Sequence, residues 1–521
     1  MAALVEMKQI VKRFPGILAN DQITFEARKG EIHGLLGENG AGKTTLMNIL
    51  YGLYRPDSGE ILFKGRPAQI DSPKKALELG IGMVHQHFKL IPRLTVLENI
   101  VLGSKADIPP HLLQTGVLTS FRRKCSEIFG LNRKAAEAKV TALAAQYGLK
   151  IHPRAKIWEL SVGEQQRVEI IKALYRDAKV LILDEPTAVL TPQEVDSLFE
   201  MLRALAANGY TVIFITHKLN EVMALCHRIT VLRNGKVVET VRAADSDRKQ
   251  LAKLMVGREV LFYLNKPRIK PGKAVLNVAN LCVRNDKGLE AVREVSLTVH
   301  EGEILGIAGV SGNGQRELIE ALNGLRRVEA GTVRFEAQDM TNASPRKIID
   351  AGVGYIPEDR MTVGLATSLP IMDNILLKSQ TAARFRRGWF LNEPAVKAYA
   401  ETLVRDFDIR TPSIRIPVGR LSGGNLQKII LARELARNPK LLIASQPTRG
   451  LDVGAIEYVQ TVLLAQKRQG KAILLISENL DETMHLSDRI AVMYEGRIVA
   501  IVAAKETSRR EIGLMMAGGH H

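Results

Sequence analysis

Gly37-Glu38-Asn39-Gly40-Ala41-Gly42-Lys43-Thr44-Thr45 is the stretch that decides the fold. It follows the strand-like Ile32–Leu36 and runs straight into the helical Leu46–Tyr51. Its pattern, GxxxxGK[ST], is that of a phosphate-binding loop. Glycines let the backbone curl until successive N–H groups face an anion at the positive end of the following helix. Lys43 is spaced to reach the β- and γ-phosphates of a nucleotide, and the Thr44 hydroxyl to ligate Mg2+.

Working outward, the chain repeats itself once. Ile32–Gly37 recurs as Ile304–Gly309, and Gly42 as Gly314, at an offset of 272. Leu160–Gly163 recurs as Leu421–Gly424, and Pro186-Thr187 as Pro447-Thr448, at an offset of 261, so the first copy carries 11 extra residues between positions 86 and 161. Two homologous domains in tandem account for this. We place the first at 1–262, a Pro/Gly-marked linker at 263–273 and the second at 274–521. Short β-branched runs (Val180–Leu183, Thr211–Ile215, Lys471–Ile476) alternate with helical stretches such as Pro192–Ala206. That alternation predicts an α/β fold: two P-loop domains, each with a mostly parallel sheet core. A helical insertion is expected around 95–155 in the first copy and 370–415 in the second.

Composition bounds the class. A chain of 521 residues, 46% hydrophobic and 25% charged, is globular and has room for two large domains. Lys and Arg number 73 against 55 acidic residues, a net charge of +18, which suits a nucleotide, nucleic acid or anionic membrane as partner. The longest apolar run, Ile498–Ala504, is far short of the roughly 18–20 residues that span a bilayer. The N-terminus has no basic segment leading into an apolar one, so no secretory signal is expected. Cys125, Cys226 and Cys282 have no metal spacing and read as incidental thiols of a reducing compartment.

Two further motifs belong with the loop. The apolar run Val180–Leu183 ends in Asp184 and Glu185, of which Asp184 suits Mg2+ and Glu185 the polarisation of an attacking water. Leu160-Ser161-Val162-Gly163-Glu164-Gln165-Gln166 opens a helix and, alone, reads equally as an ordinary cap or as an anion site.

Together with His217 after Thr211–Thr216, these segments resemble, in order, the ATP-binding subunits of ABC transporters, over essentially the whole chain and twice. The resemblance implies ATP and Mg2+ as cofactors. It places Gln86 in the loop that senses Mg2+ and the membrane partner, His217 on the γ-phosphate, and Phe14 against adenine. Catalysis then rests on Glu185, His217 and Gln86, the metal on Thr44, Gln86 and Asp184, and the phosphates on Gly37 to Thr45.

The second copy departs from this set. Gly309, Gly312 and Gly314 keep the loop, but Gln315 replaces Lys43 and Arg316 replaces Thr44. Ser445 and Gln446 replace Asp184 and Glu185; Glu358 replaces Gln86, and Glu478 replaces His217. Its signature, Ser422-Gly423-Gly424-Asn425, is by contrast the cleaner one, because the first copy (Ser161, Gly163) has Val162 where the family has glycine. Asp452 also fits the family's D-loop. Domains of this family pair head to tail, which implies one hydrolytic site, first loop against second signature, and one degenerate site.

Tandem domains with a degenerate second half resemble the ATP-binding subunits of importers for nucleosides and simple sugars. Val84–Phe88 and Ala444–Asp452 resemble the nucleoside branch; ribose, galactose or xylose import is the alternative, since that branch usually keeps its second acidic pair. Such subunits act on the cytoplasmic face of the membrane with integral permeases and an external substrate-binding protein. Leu90–Leu102 and Leu365–Leu377, with Asn99 and Asn374 alike in place, are candidate docking segments. Phe121–Lys124 and Phe385–Trp389 face either anionic lipid or water. A soluble tandem protein acting on ribosomes or nucleic acid is the minor alternative. The degraded second set and short linker weigh against it, and no nucleic-acid partner is expected.

Overall fold

The computed structural model describes residues 3–85, 88–102, 133–149, 151–187, 190, 192–259, 266–310, 312–388, 390–516 and 518. The chain divides into two compact units, Met1–Val260 and Leu261–His521.

In the first unit a six-stranded sheet runs in the order Lys236–Arg242, Arg228–Arg233, Ile32–Gly37, Thr211–Thr216, Val180–Asp184, Ile81–Val84. All neighbours are parallel except the outermost pair, Lys236–Arg242 with Arg228–Arg233. Val180–Asp184 and Thr211–Thr216 are buried at every position, as strands covered on both faces must be. The second unit repeats this order with Arg497–Ala503, Arg489–Tyr494, Ile304–Ala308, Ala472–Ile476, Leu441–Ser445 and Val353–Ile356.

Each unit also carries a four-stranded antiparallel sheet that the sequence reading did not anticipate. In the first unit it comprises Ile17–Arg28, Ala3–Phe14, Ser58–Phe63 and Arg66–Pro67; in the second Glu290–His300, Ala274–Arg284, Val328–Phe335 and Gln338–Asp339. Bulges between Met7 and Ile10 and between Ile10 and Lys12 break the two-residue alternation of Ala3–Phe14, which hides the strand from a periodicity search. The helix Lys43–Leu50 lies between the two sheets, with Leu46, Met47, Ile49 and Leu50 in one core with Val5, Met7, Ile10 and Phe25. The phosphate loop is thereby held from both sides.

Helices Val96–Val101 and Arg133–Gln146 pack through Val96, Ile100 and Val140 on Val168 and Ile171 of helix Val162–Tyr175. In the second unit Ile371–Leu376 and Glu393–Asp406 pack likewise on Gly423–Leu435. Phe121–Lys124 lies outside the described residues. Phe385 is not a membrane-facing side chain: it is 1% exposed, with its ring 4.9 Å from that of Tyr399 and the Arg384 guanidinium stacked on both. Arg386 and Arg387, on a short hairpin with Phe390–Leu391, and Gly388 are exposed, and Trp389 lies outside the described residues.

Asn99 and Asn374 are interior side chains that clamp the loop before their own helix. Asn374 Oδ1 accepts from the Ala366 N–H at 2.8 Å, and Nδ2 donates to the Ala366, Leu369 and Pro370 carbonyls at 3.0, 3.3 and 3.1 Å. Asn99 does the same with Ile91 and Thr95. Some apolar side chains of these segments still face outward, Ile91 and Leu369 among them. Beyond residue 265 the linker lies against the second unit, where Lys467 Nζ donates to the Pro267 carbonyl at 3.0 Å. Replacing Asn374 by Leu orphans buried backbone groups, each of which costs about 1–3 kcal/mol. The expected outcome is a roughly hundredfold loss of amide-exchange protection over 365–377, with the two parallel sheets still protected.

Candidate functional site

Parallel strands bring their carboxyl ends to one edge, and there the first unit gathers its motif residues. Gly42 takes φ 97° at the start of helix Lys43–Leu50, and a Cβ on it would come within 2.4 Å of the Ala19 carbonyl, so only glycine fits. Asn39 and Gly40 are exposed at the crest of the loop and Ala41 is buried beneath it. Lys43, 5% exposed, folds back over the loop and donates to the Gly37 and Glu38 carbonyls at 2.7 and 2.9 Å. Thr45 is half-buried on the next turn.

Thr44 Oγ1 donates to Asp184 Oδ1 at 3.4 Å, so the hydroxyl and the carboxylate sit side by side. Burial raises the pKa of Asp184, against the pull of Thr44, and the neighbouring Glu185 charge adds to the rise. Two hard oxygen donors, one of them short of compensating charge, fit Mg2+. Glu185 takes φ 46°, with its N–H donating to the Ile215 carbonyl at 3.0 Å, and this left-handed turn is a strain typical of functional sites. Its Oε1 lies 2.8 Å from His217 Nδ1. Burial works against the charge on Glu185, but His217, Lys43 and Lys218 outweigh it and its pKa is lowered. Glu185 is therefore held ionised, as a proton acceptor must be. Phe14 is half-buried, edge-on to Tyr54 at 5.5 Å. Gln86 lies outside the described residues.

The second unit keeps the backbone and changes the chemistry. Gly314 has φ 98° and Gln446 has φ 47°, with the Gln446 N–H donating to Ile476 O at 2.7 Å. Gly309, Gly312, Gln315, Glu358, Ser445, Gln446 and Glu478 line one cavity of about 770 Å³, which brings the substituted positions together. Gln315 Nε2 donates to the Val310 carbonyl at 3.1 Å, and Gln446 Oε1 accepts from the Glu478 N–H at 3.1 Å. Glu358 is ion-paired with Arg449.

The two signature helices start differently. Ser161 is committed to a reciprocal cap with Glu164, whose N–H donates to its Oγ at 3.3 Å. Ser422 makes no side-chain cap to its helix; Asn425 Nδ2 donates to it at 3.1 Å instead. A Cβ on Gly163 would lie 2.2 Å from Glu194 Oε1, whereas one on Gly424 would meet only the Ala455 methyl at 3.3 Å. A carboxylate thus covers the first signature glycine, and the neutral Ala455 methyl faces the corresponding second one.

The family model described as ABC transporter matches residues 20–188 and again residues 292–449. The chain belongs to the ABC transporter family. A glucose import ATP-binding protein of Haloferax volcanii, TsgD13, is 51% identical over 526 residues, covering 99% of this chain and 96% of that protein. A guanosine import ATP-binding protein of Bacillus subtilis, NupO, is 49% identical over 518 residues, covering 99% and 98%. The archaeal ribosome recycling factor aABCE1, solved with the ribosomal stalk protein aP1, superposes with a TM-score of 0.60 at 20% identity, covering 98% of this chain and 92% of that one; it shares the fold. As an ABC transporter ATP-binding protein with two such domains, the chain binds ATP and hydrolyses it to drive transport.

Two groups of this ABC ATPase escaped the sequence reading. Glu194, over Gly163, is separated from it by 31 residues, and no spacing rule links the two. Glu221, 8% exposed, accepts from Thr187 Oγ1 at 2.5 Å and Thr216 Oγ1 at 2.9 Å, and pairs with Lys218 at 2.9 Å. It thereby ties the segment after Glu185 to the segment carrying His217. The repeat was its available signal, for Glu482 stands 261 residues on and accepts from Ser477 at 2.6 Å. As a positioning residue, Glu221 changed to Ala should lower kcat about tenfold and leave KM for ATP within about threefold, with Glu221→Gln intermediate. A change confined to KM would contradict this role.

Proposed function

We propose that the chain is the energy-coupling subunit of an importer for nucleosides, hydrolysing ATP at one composite site. The first domain's Lys43, Thr44, Asp184, Glu185 and His217 would supply the catalytic set. Ser422, Gly423, Gly424 and Asn425 of the second would supply the facing signature. One observation carries this reading. In the first unit Thr44 is hydrogen-bonded to Asp184 and Glu185 to His217, while Gln315, Arg316, Ser445, Gln446 and Glu478 hold the positions of Lys43, Thr44, Asp184, Glu185 and His217 in the second.

In this mechanism the phosphate loop draws the triphosphate onto its N–H groups, and Lys43 exchanges its two loop carbonyls for phosphate oxygens. Thr44 and Asp184 would hold Mg2+, which would supply charge neutralisation at the phosphates. Glu185 accepts the proton of the attacking water; its lowered pKa keeps it charged for the task. His217, bonded to Glu185 through Nδ1, fixes the direction of that carboxylate and turns its other nitrogen to the γ-phosphate. Gln446 cannot accept the proton, and Gln315 brings no charge, so the second site does not turn over.

No described helix is long and apolar enough to cross a membrane. Separate permease chains would carry the solute, with this chain on their cytoplasmic face and a substrate-binding protein outside. Leu90–Leu102 and Leu365–Leu377 are the surfaces proposed to meet them. Nucleosides are favoured by the likeness to the guanosine import protein, together with the loss of the acidic pair at Ser445-Gln446. Monosaccharides are the second reading, favoured by the likeness to the glucose import protein.

Glu185→Gln should reduce turnover about 10²–10⁴-fold and retain bound ATP, while Gln315→Ala should change turnover less than about twofold. Equal losses would overturn the one-site assignment. With permease and binding protein in proteoliposomes, guanosine should stimulate ATP hydrolysis and glucose or ribose should not; the reverse result establishes the sugar reading.

A further inference from the structure

The proposed function leaves one basic run of the second unit unused. From Ser379 to Asn392 the chain carries Arg384, Arg386 and Arg387 and no acidic residue. Arg386 pairs across the hairpin with Leu391 and Arg387 with Phe390, and the Asn392 N–H closes its base on the Phe385 carbonyl at 3.0 Å. Gly388 opens the turn with φ 61°, and a Cβ on it would meet nothing within 4 Å, so the turn stands clear of the described residues.

Phe390 is 80% exposed, more than any other large apolar side chain among the described residues, and Leu391 is 56% exposed. Arg386 and Arg387 are exposed too, and neither makes an ion pair among the described residues. The next acidic residue along the chain, Glu393, is held by Arg415 at 2.9 Å. Directly opposed residues share a face of a hairpin, so each face carries one guanidinium beside one apolar side chain. The root, by contrast, is fixed: buried Phe385 packs with Leu376 and Val396 of the two flanking helices. A single exposed apolar residue is ordinary, but two adjacent ones beside unpaired cations have the composition of an interfacial anchor.

We propose that this hairpin is a contact with anionic lipid. Arg386 and Arg387 take the headgroup phosphates, whose oxygens match the guanidinium fork, while Phe390 and Leu391 enter the boundary between headgroups and acyl chains. Charge draws the hairpin to the surface and the apolar pair holds it there. Leu391 is aliphatic and offers a base nothing to stack on, which favours lipid over nucleic acid. Leu376, packed on Phe385, belongs to the Leu365–Leu377 segment proposed to meet the permeases, so the hairpin leaves the domain beside that surface. The inference takes from the proposed function only the seat of this chain at the membrane.

The test is co-sedimentation of the full chain, without permease, with vesicles of phosphatidylcholine alone or with about 30 mol% phosphatidylglycerol, at about 0.15 M salt. Partitioning to the anionic vesicles is expected to be at least about tenfold stronger, and to fall about tenfold with Arg386→Gln plus Arg387→Gln. Phe390→Ser plus Leu391→Ser, which leaves the charge unchanged, should weaken it as much. Lys236→Gln plus Arg242→Gln removes the same charge from an exposed strand of the first unit and should change partitioning less than about twofold, which separates the hairpin from the general attraction of a basic chain. Each variant should keep its ATP hydrolysis within about twofold, which shows that it is folded. Equal binding to both vesicles, a loss in the control as large as in the arginine pair, or binding that the serine pair leaves unchanged would each overturn the proposal. Hairpin-dependent binding of an oligothymidine without vesicle binding would overturn it in favour of nucleic acid. The importer reading is tested apart, by solute-stimulated hydrolysis with permease present: failed vesicle binding beside intact stimulation overturns the lipid contact alone.

Discussion

Parallel pairing of Ile32–Gly37 between Thr211–Thr216 and Arg228–Arg233 is the constraint on which the site depends. Strands that run the same way end at the same edge, and in an open α/β sheet that edge is where ligands bind. Gly37, Asp184 and Thr216 are the last residues of three neighbouring strands. The phosphate loop, Glu185 and His217 therefore leave the sheet side by side, although 32 residues separate Glu185 from His217 and 140 separate Thr44 from Asp184. The antiparallel sheet completes the arrangement by closing over the apolar face of helix Lys43–Leu50.

Both units obey this constraint, and the second differs from the first in the side chains it places at that edge. The strand order is the same, and Gln446 keeps the left-handed turn of Glu185 within a degree, φ 47° against 46°. Retaining a strained backbone after the carboxylate has gone shows that the turn is fixed by the ladder: the N–H to Ile476 in one copy and to Ile215 in the other. The amide in place of the carboxylate is then absorbed locally, with Gln446 Oε1 accepting from Glu478. The substitution removes a proton acceptor at little cost to the fold.

Helix starts show the converse, in which similar motifs are put to different use by their surroundings. Ser161 and Ser422 occupy the same place, but Glu164 closes a capping box on the first and Asn425 leaves the second uncapped. An uncapped helix start keeps backbone N–H groups available to an anion. Glu194 adds a negative charge over Gly163, where Ala455 is neutral over Gly424. The asymmetry of the residues at the phosphate loops is thus matched by an opposite asymmetry in the signatures.

The parallel sheets, the repeat and the identity of the phosphate loop were legible in the sequence. Each is written in local patterns: glycine spacing, apolar runs such as Val180–Leu183, and segments recurring at fixed offsets. The replacements in the second copy were equally legible, because the offset places Gln315 under Lys43 and Gln446 under Glu185. Tertiary structure alone decided the rest. It set the antiparallel sheet, whose bulges erase the alternation, and the interior placement of Asn99, Asn374 and Phe385, whose burial depends on what packs above them. It also brought Glu194 onto Gly163 and Glu221 between Thr187 and Thr216. Those contacts join residues through space, and a one-dimensional pattern carries no term for the side chain that closes over another.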